Sequence, residues 1–529
     1  MRWGWILRRS LYLYRVNEVK VPFFEDCPEI LKRKVVSLLG VRGGDLAGIK
    51  VLRRSLDARK KERMIYYVYN LVVRLRRPVA TSSRVRPYSE PEPFRVPRPS
   101  RMPEPLVVGM GPCGLFCALA LSEAGVTGTL IDRGCPVEER VEAVERLWKK
   151  GTLDTSCNPQ FGEGGAGTFS DGKLTTRVRD PRIQWIFEKL VEFGAPRDIL
   201  YEAKPHVGTD IIRGVVKRIR EHLVGMGWKV SFRTALEDVR IEAGRLSSVR
   251  LNGDWAFFSD VVLAVGHSAR DTYRMLAERG IPLAVKPFAV GFRVEHPQRL
   301  IDEAQYGRWA GHHGLPPASY HLTANFPEKR GVYTFCMCPG GHVICASSED
   351  RRLVVNGMSY RSRGSGYANS AIVITVDERD FPGGVFGGLV FQERLEEAAY
   401  GVFGSFVAPC QSVSGFLGGR GKEVSFCTYR PGVGEWELGR LLPSHLVELL
   451  RSGIRRFARA IKGFDSEGVL VAVETRTSAP LRILRGEDGQ SPAAEGLYPA
   501  GEGSGYSGGI VSSALDGVRV AQLMLEKYA

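Results

Sequence analysis

Pro105-Leu-Val-Val-Gly109-Met-Gly111-Pro112-Cys113-Gly114 is the stretch on which the fold turns. A short apolar run ending in glycine predicts a buried parallel strand. Leu115, Ala118, Leu119 and Ser122 then recur at helical spacing, and residues 127–132 read as a second strand. The unit is β-α-β, the opening of a doubly wound α/β sheet of Rossmann type. Gly109 permits the tight strand-to-helix turn, Gly111 lets backbone approach a pyrophosphate with no Cβ in the way, and Gly114 lets helix and strand pack closely. The helix start at Pro112 and Cys113 then offers free N–H groups to phosphate charge. Asp132, followed by Arg133, lies 23 residues after Gly109 at the end of the second strand. There its carboxylate is placed to accept from the ribose hydroxyls of an adenosine and to repel a 2′-phosphate. A lone glycine fingerprint is weak, but one flanked by strand, helix and acid at this distance predicts a bound dinucleotide.

The far end of the chain narrows the choice of dinucleotide. Leu497-Tyr-Pro-Ala-Gly501-Glu502-Gly-Ser-Gly505-Tyr-Ser-Gly508-Gly509-Ile510 reads as strand and loop, and runs into a helix with Val511, Ala514, Leu515, Val518, Ala521 and Leu525 on one face. A second helix N-terminus thus reaches the same ligand. One fingerprint and two helix tips suit FAD, whose isoalloxazine gains negative charge at N1–C2=O on reduction. A helix start at Gly508, Gly509 and Ile510 would stabilise that charge, with Glu502 on a ribityl hydroxyl or near the pyrophosphate. A third cluster, Phe161-Gly162-Glu-Gly164-Gly165-Ala-Gly167-Thr-Phe-Ser170-Asp-Gly172-Lys173, is long and Gly-rich, as functional loops are. Its glycines let backbone pass against a flat ring or a phosphate. Ser170 and Lys173 can donate to cofactor oxygens, and a plain surface loop is the competing account. Gly266, closing the apolar run from Asp260, joins the expected contacts.

Outward from these motifs, 529 residues allow roughly three or four domains at about 150 residues each. Eight prolines between Pro78 and Pro105 predict an extended linker over 77–104. Before it, residues 1–76 read as strand, helix, strand, strand, a small α+β domain of ferredoxin-like type. After it, 105–285 and 465–529 read as two parts of one cofactor domain, with an inserted α+β substrate domain over 286–464. Residues 1–100 hold 23 Lys and Arg against 9 Asp and Glu, whereas the whole chain has a net charge of +16. A basic module is therefore joined to a nearly neutral body. Its run Arg53, Arg54, Arg59, Lys60, Lys61 and Arg63 could meet RNA phosphates or an acidic partner protein, although Asp57 and Glu62 interrupt it. No apolar run reaches about 18 residues, so no ordinary membrane-spanning helix is expected.

Ten cysteines fall at no framework spacing, and nothing resembles paired CxxC zinc ligation, so no metal site is expected. Reduced thiols in a cytoplasmic protein are the default. The first 17 residues lack acid and carry Arg2, Arg8, Arg9 and Arg15, a composition transit peptides share, but Leu11, Leu13 and Val16 favour an N-terminal strand. Four residues are candidates for a catalytic role. Cys336 and Cys338 flank one Met, and strand alternation would point both to one face, as a redox pair near the flavin or as two packed thiols. Arg476, near Glu474, would bind an acidic substrate or flavin carbonyls, or sit in a structural ion pair. His267, past a strand's carboxyl end, is either an acid/base or a loop hydrogen bonder.

These motifs together resemble the family of FAD-dependent dehydrogenases, the NAD(P)/FAD-dependent oxidoreductases of bacteria and plant plastids. The likeness is carried by Arg53–Lys61, the Gly109 fingerprint, the 161–173 loop, and Lys204-Pro-His206-Val-Gly-Thr-Asp210. It continues through Ala264-Val-Gly266-His267-Ser268-Ala-Arg270-Asp271, Phe335-Cys-Met-Cys-Pro-Gly-Gly341, Glu474-Thr-Arg476-Thr-Ser478 and the 501–510 end. It implies a glutathione-reductase-like FAD domain split by a substrate domain, and a more distant similarity to geranylgeranyl reductases and to flavoproteins that modify tRNA uridine. Glu502 stands where many FAD enzymes have Asp. Cys410 and Ser412 stand where the resemblance would place a small residue and an Arg. The expected function is a FAD-dependent oxidoreductase acting on a small-molecule substrate, with NAD(P)H as a transient donor. An RNA-directed flavoprotein and a non-enzymatic FAD scaffold are the alternatives.

Overall fold

The computed structural model describes residues 11–327, 330–419 and 423–529. Arg2, Arg8 and Arg9, on which the transit-peptide reading rests, lie outside the described residues; Leu11 onward does not, and Tyr12–Pro22 is a strand. The N-terminal unit is a four-stranded antiparallel sheet in the order Leu46–Asp57, Tyr66–Leu75, Tyr12–Pro22, Val85–Pro87, with helix Pro28–Leu39 between its first two strands in sequence. The strand order is that of a ferredoxin-like sheet, but residues 76–84 supply no second helix. This unit is seated on the body. Arg54 N–H donates to Tyr201 O at 2.7 Å and Ala203 N–H to Arg54 O at 2.8 Å, and the Arg54 guanidinium pairs with Glu202 at 2.6 Å and Asp26 at 3.1 Å. Lys61 donates to Ala304 O, and Arg59 pairs with its neighbour Asp57 at 2.8 Å. Three of the six cations in the run read as a phosphate contact are thus occupied within the chain.

The body is built on a five-stranded parallel sheet in the order Leu497–Pro499, Val261–Leu263, Leu106–Val108, Thr129–Ile131, Lys229–Ser231. Every residue of these strands except those of the edge strand Lys229–Ser231 is buried or nearly so, as strands covered on both faces must be. From Leu106–Val108 the chain runs first to one side of the sheet and later to the other. The carboxyl end of that strand is therefore the topological switch point, the place where open α/β sheets bind ligands. Helix Pro112–Glu123 is buried on all sides from Cys113 to Ser122, between the sheet and the C-terminal helix Ile510–Lys527. The two helices touch closely, since a Cβ on Gly517 would stand 2.1 Å from Cys113 O.

A seven-stranded mixed sheet forms the second layer, in the order Thr323–Asn325, Gly331–Cys338, Tyr367–Val376, Phe288–Pro297, Val469–Glu474, Ala408–Ser412, Val433–Glu435. Val469–Glu474 pairs with both Phe288–Pro297 and Ala408–Ser412, so it belongs to this layer. The sequence boundary at 465 is thus a dozen residues early, and the crossing is the short ribbon of Leu283–Val285 with Leu481–Ile483. An apolar strand reads the same in either sheet, so only its pairing could place it. One charged cluster ties the layers: Arg270, on a helix of the parallel-sheet layer, and Arg476 both clasp Glu396, on helix Gly387–Gly401, at 2.8 Å.

Candidate functional site

A cleft of about 390 Å³ opens where the two layers meet. All five parallel strands deliver residues to it just past their carboxyl ends: Gly109, Asp132 with Arg133, Thr234, Ala264 to Ser268, and Glu502. Gly111, Pro112 and Cys113 line it as the first turn of helix Pro112–Glu123, and Gly508, Gly509, Ile510 and Val511 as the start of helix Ile510–Lys527. The two helix tips nearly touch through one residue. A Cβ on Gly167 would meet Ile510 Cγ1 at 3.1 Å and Pro112 Cγ at 3.7 Å. Gly165, Gly167, Ser170 and Lys173 complete this wall, with Gly266 opposite.

The glycines of the three clusters divide by what a methyl group would strike. Gly508, Gly509 and Gly266 have no atom within 4 Å of a built Cβ, and Gly111 has only Gly165 Cα at 3.9 Å. These positions face open space, which a ligand can use. Gly114, Gly162, Gly164 and Gly501 do not line the cleft. A Cβ on Gly114 would lie 1.9 Å from Gly109 O, on Gly164 2.0 Å from Thr168 Oγ1, on Gly162 2.7 Å from Arg140 Cδ, and on Gly501 2.9 Å from Cys113 Cβ. Their place is in close packing behind the cleft, as the fingerprint reading has it for Gly114, and in place of the direct contact expected of Gly162, Gly164 and Gly501. Fingerprint position separates Gly111 from Gly114 in the sequence, but nothing does so for the glycines of the other clusters, because a glycine before a ligand and a glycine in close packing are spelled alike.

Asp132 lines the cleft at the end of its strand and has a second task there. Its two carboxylate oxygens accept from the Met110 and Gly134 amides, each at 2.8 Å. The side chain therefore braces the fingerprint loop, and only its remaining lone pairs reach the cleft. Arg133 is held by Asp271 at 2.9 Å and lies over the Phe161 ring. Ser170 Oγ donates to Gly167 O at 2.8 Å, which sets the loop's turn. Glu502 accepts from the Gly509 amide at 3.3 Å. Burial pushes this carboxyl up to about 7, against the pull of that amide and of Lys286. The loop carrying Glu502 is fixed from behind by Asp516, which accepts from the Gly501 amide at 2.7 Å and from Arg485 at 2.6 Å.

Arg476 reaches the cleft wall but is saturated by protein: Glu396 and Glu349 at 2.8 Å, Ser348 at 2.6 Å and Ser268 at 3.1 Å. The geometry makes it a positioning residue rather than a substrate ligand, the structural ion pair of the two sequence readings. His267 lines the cleft with Nδ1 3.0 Å from Ser268 Oγ. Burial, then Arg476 and Arg270, lower its pKa to about 3, so the ring is neutral at physiological pH. Cys336 lines the cleft while Cys338 is fully buried behind it. The expectation that strand alternation puts both on one face fails at a β-bulge: pairing with Tyr367–Val376 runs to Phe335 opposite Ala371 and resumes at Cys338 opposite Asn369. Cys135 and Cys157 are joined in a disulfide with Cα atoms 5.6 Å apart, which corrects the all-reduced expectation; the other eight cysteines are free. Asn356, Thr477, Gln160 and Thr234 also line the cleft. Sequence reasoning quoted the motif that holds Thr477 and the cluster that Gln160 precedes without singling either out, and it missed Asn356 and Thr234 because each is a lone polar residue with no motif around it.

A second cavity of about 790 Å³ adjoins the first, sharing Thr175, Phe335, Gly508 and Ser512 with it. Arg177, His321, Thr323, Tyr333 and Tyr506 give it hydrogen-bonding walls. Among the described residues no helix is long and apolar enough to cross a membrane.

Residues 287–477 match the family model described as "FAD-dependent protein, C-terminal domain-like", and residues 14–74 match a domain of unknown function, DUF8436. An uncharacterized protein of Clostridium beijerinckii is 41% identical over 529 residues, covering 97% of this chain and 99% of that one. Among solved structures, a geranylgeranyl bacteriochlorophyll reductase-like protein from Thermoplasma acidophilum covers 80% of this chain and 78% of its own at 12% identity and a TM-score of 0.38. L-proline dehydrogenase from P. horikoshii covers 82% of this chain and 95% of its own at 12% identity and a TM-score of 0.32.

Proposed function

This chain and the Clostridium beijerinckii protein belong to one family, the FAD-dependent proteins whose C-terminal domain spans residues 287–477, and on that premise we propose that it is a FAD-dependent oxidoreductase acting on a small polar molecule. The observation that carries the reading is the meeting of the Pro112 and Ile510 helix tips across Gly167 in one cleft. The residues present fit the cofactor. Unpaired amides at the two helix starts suit its pyrophosphate and the electron-rich edge of its ring. The open faces of Gly111, Gly508 and Gly509 leave room for a ligand at backbone distance.

Bound flavin would supply hydride or electron transfer. The chain's own groups hold and shield it. Asp132 keeps the fingerprint loop in shape, and Glu502 braces the second helix start. The Glu396–Arg270–Arg476 cluster holds the two layers at a fixed distance behind the cleft. Substrate enters by the adjoining cavity, where Arg177, His321 and Tyr333 offer donors to an oxygen-bearing molecule. NADH or NADPH visits the same opening as electron donor. Purified protein should be yellow with about one FAD per chain and should bleach anaerobically with one nicotinamide in preference to the other. A colourless protein that refuses added FAD refutes the reading, and a yellow one that millimolar NADH and NADPH leave oxidised removes nicotinamide as donor.

A further inference from the structure

The Phe335-Cys-Met-Cys338 turn carries more chemistry than packing requires. At its bulge Cys336 adopts φ 47°, a left-handed conformation that costs a non-glycine residue about 1–2 kcal/mol. The bulge turns Cys336 toward the cleft and folds Cys338 back beneath it, where its Sγ lies 3.3 Å from Cys336 O. Cys338 is wholly buried and Cys336 partly exposed. One thiol is thus accessible and its neighbour enclosed, which is the arrangement of an exchanging dithiol.

The surroundings are polar. Fully buried Arg293 donates to Cys336 O at 2.6 Å and reaches Cys338 Sγ at 3.5 Å. Lys173, from the glycine-rich loop, donates to Met337 O. Two cations therefore clasp a four-residue turn. Glu474, 2.9 Å from Arg293, and Asp171, 3.8 Å from Lys173, face the same group and oppose a thiolate, as does Glu502. The balance of these charges holds Cys336 well below the usual thiol range, chiefly through Cys338 and then Lys173 and Arg293, whereas burial holds Cys338 well above it. Both cations hold the turn by its backbone carbonyls, and Arg293 alone also reaches a sulfur, that of Cys338.

We propose that Cys336 and Cys338 are a redox pair that exchanges two electrons with the flavin, Cys336 meeting the ring and Cys338 closing the disulfide. The inference rests on the FAD reading above. In the oxidising direction the Cys336 thiolate and the Cys338 thiol form one S–S bond, one S–H bond breaks, and the electron pair with that proton passes to oxidised flavin. The reverse returns them. A CxC disulfide is strained, and strained disulfides are the more readily reduced ones, which suits a reversible exchange.

The test begins with FAD-loaded, air-oxidised protein of measured flavin content; failure to load counts against the FAD reading alone. Anaerobic dithionite titration should show the wild type taking up about two more electron equivalents per flavin than Cys336→Ser, since the Cys135–Cys157 disulfide is common to both. Cys338→Ser should lose the same two equivalents and gain long-wavelength absorbance from a thiolate beside oxidised flavin. That band should fade on acidification as the thiolate takes up a proton, with a midpoint held down by Lys173 and Arg293 now that the Cys338 contact is gone. Lys173→Met in the same background should move the midpoint up, and alkylation of Cys336 should abolish the band. Equal electron uptake by the wild type and both serine variants overturns the proposal. So does a Cys338→Ser protein that holds FAD without the band.

Discussion

Substituting Gly111 by Ala should separate folding from cofactor binding. Gly111 caps helix Pro112–Glu123 at φ −71° and ψ −179°, a conformation alanine adopts without strain. A methyl group there would meet only Gly165 Cα at 3.9 Å, ordinary van der Waals contact. The apoprotein should therefore keep its stability or gain about 0.4–1 kcal/mol from a less flexible unfolded chain. The same methyl projects into the cleft where backbone must approach a phosphate. Overpacking of that kind costs about 1–3 kcal/mol, which weakens FAD binding by roughly five- to 150-fold. Gly109→Ala is the control, because its Cβ would lie 2.3 Å from Ala264 O at φ 104°, so fold and binding should fail together. Thermal unfolding of the apoproteins and titration of FAD by quenching of its fluorescence measure the two quantities separately. A folded Gly111→Ala protein that binds FAD as tightly as the wild type would refute the placement of the pyrophosphate at this helix tip.

Glu396→Gln should destabilise the protein by about 3–5 kcal/mol in denaturant unfolding at pH 7, since it leaves the buried Arg270 and Arg476 guanidinium groups undercompensated. These cations hold the Glu396 carboxyl far below its usual range despite burial. The wild-type advantage should thus be complete above the unfolded carboxyl value of about 4.3 and shrink as pH falls below it. Glu502 has the opposite sign: raised to about 7 in the fold, it should cost the apoprotein stability as pH rises from about 4.3 toward 7. Melting temperatures of the wild type should drop across that window and those of Glu502→Gln should not. Arg54→Ala removes the pairs with Glu202 and Asp26 and should loosen the N-terminal unit by about 1–3 kcal/mol, read as several-fold faster proteolysis within 77–104 with flavin content unchanged.

Much of the cofactor cleft was legible because its signals are local. The fingerprint needs three glycines within six positions, an apolar run before them and an acid 23 positions on, and each requirement is met by neighbours in the chain. The second helix start was legible for the same reason. What the sequence did not carry was the partner that each side chain meets in the fold. Arg476 reads equally as a ligand-binding cation and as one half of an ion pair until Glu396, 80 positions away, is brought against it. Asp132 gives no sign in the sequence that its carboxylate also accepts from the Met110 amide. Cys135 reads as a lone thiol until a loop returns Cys157 beside it.

The sequence by itself determined that a βαβ unit opens a parallel sheet, that two helices start at glycine-rich turns, and that a basic module precedes the body. Short-range sterics and hydrogen bonding dictate those features, so composition and spacing suffice. Only the tertiary structure decided that Val469–Glu474 crosses into the other sheet, which glycines face space and which face a carbonyl, and that one extra residue in a strand parts Cys336 from Cys338. Each of those depends on register and on charges drawn together from separate segments, and a register shift of a single residue reverses the face a side chain presents.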